Sequence, residues 1–247
     1  MSAQEDTFIS HLVELRDRLL RAVVAIAVAF VCLMPWAGEI YDILAHPMMQ
    51  ALPEGTRMIA TGVVTPFFVP MKVTLLVAFV VALPFVLYQA WCFIAPGLYA
   101  HEKRLGLPLV IGSTILFLAG MAFCYFFVFG TVFKFIAQFA PKSITPAPDI
   151  EQYLAFVMSM FLAFGITFEV PVFVIVLVKL GVVDVPKLKE ARPYVIVGAF
   201  IVAAVVTPPD VVSQLMLAIP MCLLYELGIF LARFVTKTRA DAVSEEN

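Results

Sequence analysis

Among the carboxylates of this sequence, Glu14, Glu102, Glu169 and Glu226 stand where chemistry is possible. Glu14 lies in Phe8-Ile9-Ser10-His11-Leu12-Val13-Glu14-Leu15-Arg16-Asp17-Arg18-Leu19, where Leu12, Leu15 and Leu19 recur at helical spacing. Glu14 and Arg18 are therefore i,i+4 neighbours, and periodicity alone favours a surface pair worth a few tenths of a kcal/mol. Glu102 lies in Ala95-Pro96-Gly97-Leu98-Tyr99-Ala100-His101-Glu102-Lys103-Arg104. His101-Glu102 opens like a zinc-protease motif, but Leu105 stands where the second histidine belongs, so that chemistry is excluded. On composition alone Glu102 is a solvated loop charge. Glu169 and Glu226 fall inside apolar runs, with Gln214 at the edge of one. An ionisable group in a membrane span costs several kcal/mol unless it meets water or a partner, which makes Glu169 a functional candidate. The plainer alternatives are a protonated carboxyl or a pair with a neighbouring helix. Glu226 lies near the inner end of its run, within reach of a wetter zone.

Enzymatic chemistry finds no support. The histidines His11, His46 and His101 lie outside the apolar runs, so no intramembrane Ser-His dyad is available. The sequence holds no GxSxG, P-loop or HExxH motif. Cys32, Cys92, Cys124 and Cys222 sit inside apolar runs and read as small hydrophobes, with neither a disulfide nor a metal site expected. No basic block or zinc spacing points to nucleic acid, and no cofactor is expected.

The elements that must position these groups are membrane helices. Of the 247 residues 63% are hydrophobic and 14% charged, against about 25% charged in a soluble domain. The expected fold is all-α and polytopic, with six transmembrane helices, the fifth and sixth of them short, in a concave shape. An amphipathic lead-in covers 6–18, and spans cover about 19–36, 73–94, 107–135, 153–180, 194–207 and 215–232, followed by a tail at 233–247. The first span follows a stretch of mixed charges and is too long for a signal-peptide core, so it reads as retained. The fifth span, about 14 residues, covers roughly 21 Å of a hydrocarbon core of about 30 Å. It is shielded by neighbours or sits where the bilayer thins; a re-entrant hairpin with the sixth is the other reading, and Thr207-Pro208-Pro209-Asp210 fits either. Residues 37–72 and 136–152 read as long loops. Pro84, Pro171 and Pro220 interrupt spans, read either as ordinary kinks or as the makings of a concave shape.

Charge orients the chain. Arg16, Arg18, Arg21, Lys103, Arg104, Lys179, Lys187, Lys189, Arg192, Arg233, Lys237 and Arg239 flank one side, whereas Arg57, Lys72, Lys134 and Lys142 flank the other. The bias puts both termini and the loops near 101 and 187 in the cytoplasm.

The motifs then converge. His11-Leu12-Val13-Glu14-Leu15-Arg16-Asp17-Arg18-Leu19 resembles the N-terminal signature of the TatC family, the receptor subunit of the twin-arginine protein translocase. The resemblance continues through Thr65-Pro66-Phe67-Phe68, Tyr88-Gln89-Ala90-Trp91-Cys92-Phe93-Ile94-Ala95-Pro96-Gly97-Leu98-Tyr99 and His101-Glu102-Lys103-Arg104. It resumes at Phe164-Gly165-Ile166-Thr167-Phe168-Glu169-Val170-Pro171, Arg192-Pro193-Tyr194 and Thr207-Pro208-Pro209-Asp210, and covers nearly the whole chain up to about Thr236. It is closest to the proteobacterial members.

This resemblance implies a Sec-independent translocase subunit of the bacterial inner membrane that binds twin-arginine signal peptides of folded precursors. It implies recruitment of the single-span partners TatA and TatB, export driven by the proton-motive force, and assembly as a homo-oligomer within the complex. Glu14 and Glu102 are the implied carboxylates for the paired arginines, with Arg16 and Phe93 on the same surface. Thr207 and Gln214 match the partner-helix docking patch, Glu169 the membrane-embedded polar position, and Pro47 and Asp210 the sensitive outer positions. The competing reading is a proton-coupled transporter of small solutes using Glu169, disfavoured by the lack of an internal repeat and of matched broken helices.

Overall fold

The structure, a computed structural model, describes residues 3–52, 56–94, 106–139, 147–207 and 210–245. Helix α1 (Ala3–Leu33) is followed by a 3-10 turn (Met34–Trp36), α2 (Ala37–Ala51), α3 (Thr65–Ile94) and α4 (Gly106–Phe123). A π-helical turn (Cys124–Val128) leads into α5 (Phe129–Phe139), then α6 (Ile150–Phe168), α7 (Val170–Lys179), α8 (Val185–Glu190), α9 (Arg192–Val206) and α10 (Val211–Glu245). The helical stretches 11–51, 65–93, 107–138, 150–179 and 211–233 are each long and apolar enough to cross a membrane, while α9, with 15 residues, is shorter. At 1.5 Å per residue α9 reaches about 22 Å, short of a hydrocarbon core of about 30 Å.

The chain divides into two compact units. In the first (residues 1–44 and 62–114), α1 lies along α3. On α3 the residues Val69, Val73, Leu76 and Leu83 are buried at helical spacing, the stripe that a packed helix face requires. On α1, Leu19, Val24, Val28 and Val31 are exposed and Ala22 is buried, so a small residue meets the neighbour while branched ones are left for lipid. Trp91 donates its indole N–H to Ser113 Oγ at 2.9 Å, tying α3 to α4. Both residues are buried, and a donor left unmade there costs about 1–3 kcal/mol.

In the second unit (residues 45–61 and 115–247), α4 and α6 approach closely because glycines face their partners. A Cβ at Gly120 would sit 2.5 Å from the Phe164 carbonyl oxygen, and one at Gly165 would collide with the Phe117 ring. Small residues at helix crossings let backbones pack where lipid supplies no hydrophobic drive. Around them Phe129 lies 5.2 Å from Phe161 and Phe133 lies 5.7 Å from both Tyr153 and Phe156, measured between ring centroids. The end of α7 is a Schellman turn: Val182 N–H donates to Leu177 O and Gly181 N–H to Val178 O, each at 3.0 Å. Gly181 has φ of +71°, a conformation glycine adopts without a Cβ clash.

The first connection differs from its sequence reading. Residues 37–72 are not a continuous loop: Ala37–Ala51 is helical despite Pro47, and α3 begins at Thr65, taking Pro66 and Pro70 into its first turns. Leu44 and Ala45 are buried on α2, and burial of that face outweighs the missing proline donor. Pro84 and Pro220 lie within continuous helices, whereas Pro171 accompanies a break between α6 and α7 at Glu169. The third span is interrupted by the π turn and runs on to Phe139, and α10 continues through Glu245, taking in residues read as a tail.

Candidate functional site

Glu14 sits on the lead-in of α1, where helix geometry stacks His11, Glu14 and Arg18 on one face. Arg18 donates to Glu14 Oε1 through Nε at 2.9 Å and Nη2 at 2.5 Å. Its third nitrogen, Nη1, points to Gln89 Oε1 on α3 at 3.4 Å. The other oxygen of Glu14, Oε2, has His11 Nδ1 at 4.0 Å. The His11 ring stacks on Phe93 with centroids 4.3 Å apart and planes 13° from parallel. Exposure rises outward from Arg18 at 22% through Glu14 at 40% to His11 at 49%, so the carboxylate and the imidazole are open to a solute while the guanidinium is the more covered partner.

Of the residues singled out in the sequence, Phe93 joins Glu14 through His11, but Arg16 does not join it. Its guanidinium donates to Asp17 Oδ1 at 2.8 and 3.0 Å and is largely exposed. Glu102 lies outside the described residues. Gln89 and His11 stand in the quoted motifs but were given no site role from the sequence. His11 carried a usable signal, standing three residues before Glu14 on a helix; Gln89, 71 residues from Arg18, carried none.

A second polar group surrounds the start of α10. Asp210 caps it, accepting the Ser213 N–H at 2.7 Å. Thr207 is buried and its hydroxyl donates to the Ala203 carbonyl at 2.8 Å; Gln214 donates from Nε2 to the Phe200 carbonyl at 3.3 Å. Asp210 Oδ2 and Ser213 Oγ are buried with no hydrogen-bond partner among the described residues. Glu169 is 4% exposed and stands at the α6–α7 break, where Pro171 deletes a helical N–H. Glu226 pairs with Arg192 Nη2 at 2.6 Å, and the adjacent Tyr225 hydroxyl donates to Leu188 O at 2.8 Å. Pro47 lies inside α2.

Asp149 also escaped the sequence reading. As N-cap of α6 its Oδ1 accepts the N–H groups of Glu151 and Gln152 at 2.9 and 3.1 Å. Its Oδ2 accepts the Thr61 hydroxyl at 2.6 Å and the Thr61 N–H at 3.1 Å. Ile59 completes a two-stranded contact, donating to Pro148 O and accepting from Ile150 N. The Thr61 hydroxyl, with these backbone donors, holds the Asp149 carboxyl below its ordinary value. The Asp-Ile-Glu-Gln run resembles a capping box and could have flagged this residue.

Fold and site together define a polytopic α-helical membrane protein with polar groups gathered at helix ends and breaks. Residues 10–220 match the family described as Sec-independent protein translocase protein (TatC). The Haemophilus influenzae protein of that name is 51% identical over 99% of this chain and 95% of its own length. The Escherichia coli K12 protein is 50% identical over 93% of this chain and 90% of its own. A crystal structure of the twin-arginine translocase receptor TatC superposes with a TM-score of 0.80 at 40% identity, covering 92% of this chain and 99% of the other. The chain belongs to the TatC family: it is a component of a Sec-independent protein translocase and not an enzyme.

Proposed function

We propose that this protein is the receptor that captures the twin-arginine signal peptides of folded precursors, with Glu14 and Glu102 as the carboxylates that take the two guanidinium groups. The observation that carries this reading is that the Glu14 carboxylate already holds a guanidinium, at 2.5 Å. Arginine binds carboxylates through charge-assisted and often bidentate bonds, which lysine, a compact single-point donor, cannot reproduce. Phe93, stacked on His11, walls the site with an aromatic surface suited to apolar residues of the peptide. Arg16, exposed two residues after Glu14 on the same helix, is a further contact.

In this proposal the chain crosses the bacterial inner membrane six times with both termini in the cytoplasm, which places Glu14 and Glu102 on the face where precursors arrive. Thr207 and Gln214 dock the single-span partners TatA and TatB, and Pro47 and Asp210 act at the outer face. Asp210 Oδ2 and Ser213 Oγ, buried and without a hydrogen-bond partner among the described residues, favour a polar visitor at that end of α10. Glu169 acts as a buried polar group in the membrane, the proton-motive force drives export, and copies of the chain assemble within the complex. The test is photocrosslinking of a signal peptide to the protein in membranes. The Glu14→Gln, Glu102→Gln double variant is expected to lose the adduct, and an undiminished adduct defeats the assignment.

A further inference from the structure

We propose that Arg18 is the resident occupant of the arginine site, so that a signal peptide docks by exchanging its guanidinium for one the protein already holds. This rests on the reading of Glu14 given above and adds a specificity-determining residue to it. The geometry is asymmetric. Two N–H groups of Arg18 converge on one oxygen, Oε1, while Oε2 has only His11 Nδ1 at 4.0 Å. An incoming side chain can therefore reach Oε2 without disturbing Arg18, but a bidentate grip needs both oxygens. Lysine can settle for the outer oxygen; arginine earns its second bond only after Arg18 lets go.

The structure holds a place for Arg18 to go. Gln89 is 6% exposed, and its Oε1 already lies 3.4 Å from Arg18 Nη1. A contraction of that long bond gives the released guanidinium an acceptor deeper in the α1–α3 contact. Arg16 cannot play this part, because both its contacts go to Asp17. Release is inexpensive: an i,i+4 pair on a helix surface is worth about a twofold change in an equilibrium. Resident and incoming groups are chemically alike, so the exchange lowers affinity for an arginine pair by a small factor and keeps the peptide releasable. Without Arg18 the carboxylate stands bare and any cation can approach, but arginine gains most because it alone uses both oxygens.

The experiment is fluorescence anisotropy of a labelled synthetic signal peptide, carrying Arg-Arg or Lys-Lys, titrated with the full-length protein in detergent micelles. Arg18→Gln is expected to tighten the Arg-Arg peptide by about twofold, the worth of the lost pair, and to leave the Lys-Lys peptide nearly unchanged, raising the ratio between them. Arg18→Lys retains a cation for folding, grips Oε1 through a single donor and is expected to give a smaller shift in the same direction; it reports should the glutamine variant fail to fold. Equal tightening of both peptides means simple charge removal and overturns the exchange, as does unchanged or weakened binding by a variant with normal melting. Glu14→Gln separates the two levels. If it binds the Arg-Arg peptide normally, the receptor reading of Glu14 itself fails; if it loses the peptide while Arg18→Gln does not gain, only the exchange fails.

Discussion

Two Arg–Glu pairs in this protein have nearly the same bond length and opposite meanings. Arg18 and Glu14 meet at 2.5 Å four residues apart on one helix; Arg192 and Glu226 meet at 2.6 Å but 34 residues apart, joining α9 to α10. The first pair follows from helix geometry and reaches beyond α1 only through the long bond from Arg18 to Gln89, so either partner can be exchanged with little disturbance of the packing. The second exists only while two helices are docked. It is reinforced by Tyr225, whose hydroxyl binds Leu188 O within a core of Val174, Leu188, Tyr225, Ile229 and Ala232. Nearly equal distances thus mark a pair set by one helix in one place and a tertiary fastener in the other.

The sharpest way to break this contrast is at the first pair. The Glu14→Gln, Glu102→Gln double variant is expected to bind an Arg-Arg signal peptide about a hundredfold more weakly, with its melting temperature in detergent almost unmoved. A large fall in melting temperature would make Glu14 structural and dissolve the distinction. Tyr225→Phe tests the other side. It leaves the Leu188 carbonyl without its donor, and thermal unfolding should show a loss of about 1–2 kcal/mol with signal-peptide affinity unchanged. Smaller still is the difference between coupling energies. A double-mutant cycle on Arg192 and Glu226 should give about 0.5–1 kcal/mol of stability, against about 0.3–0.5 kcal/mol for Glu14 and Arg18. The reverse order would refute the claim that sequence separation distinguishes them.

A third carboxylate gives the smallest effect and a pH dependence. The folded-state value of Asp149 is depressed, so its contribution is present above its ordinary value of 3.8 and disappears as pH falls through the lower folded one. The melting-temperature gap between wild type and Asp149→Ala should therefore be full at neutral pH and close below about pH 4. A gap that persists there would mean that Asp149 acts by packing instead of by accepting the Thr61 and helix N–H bonds.

Legibility in the sequence tracked distance along the chain. Apolar runs located the long helices, and the spacing of Leu12, Leu15 and Leu19 placed Glu14 and Arg18 on one face of α1. Prolines misled where burial overrode them: Pro47 and Pro70 suggested loop, yet both lie in helices. The family resemblance put Arg16 on the same surface as Glu14, but its guanidinium bonds the neighbouring Asp17. Gln89, the Thr61–Asp149 clamp 88 residues apart and the Arg192–Glu226 fastener had no local pattern to reveal them.

From its sequence alone this protein is determined to be helical, lipid-embedded and equipped with an acidic residue beside an arginine at the head of its first helix. Those properties follow from composition and from a 3.6-residue repeat, both of which act over a few neighbouring residues. Only the packed structure decided that Phe93 would stack on His11, that Gln89 would meet Arg18, and that glycines would press α4 against α6. Contacts of that kind depend on how whole helices rotate and cross, which is set by the fit of many side chains at once and by no single stretch of chain.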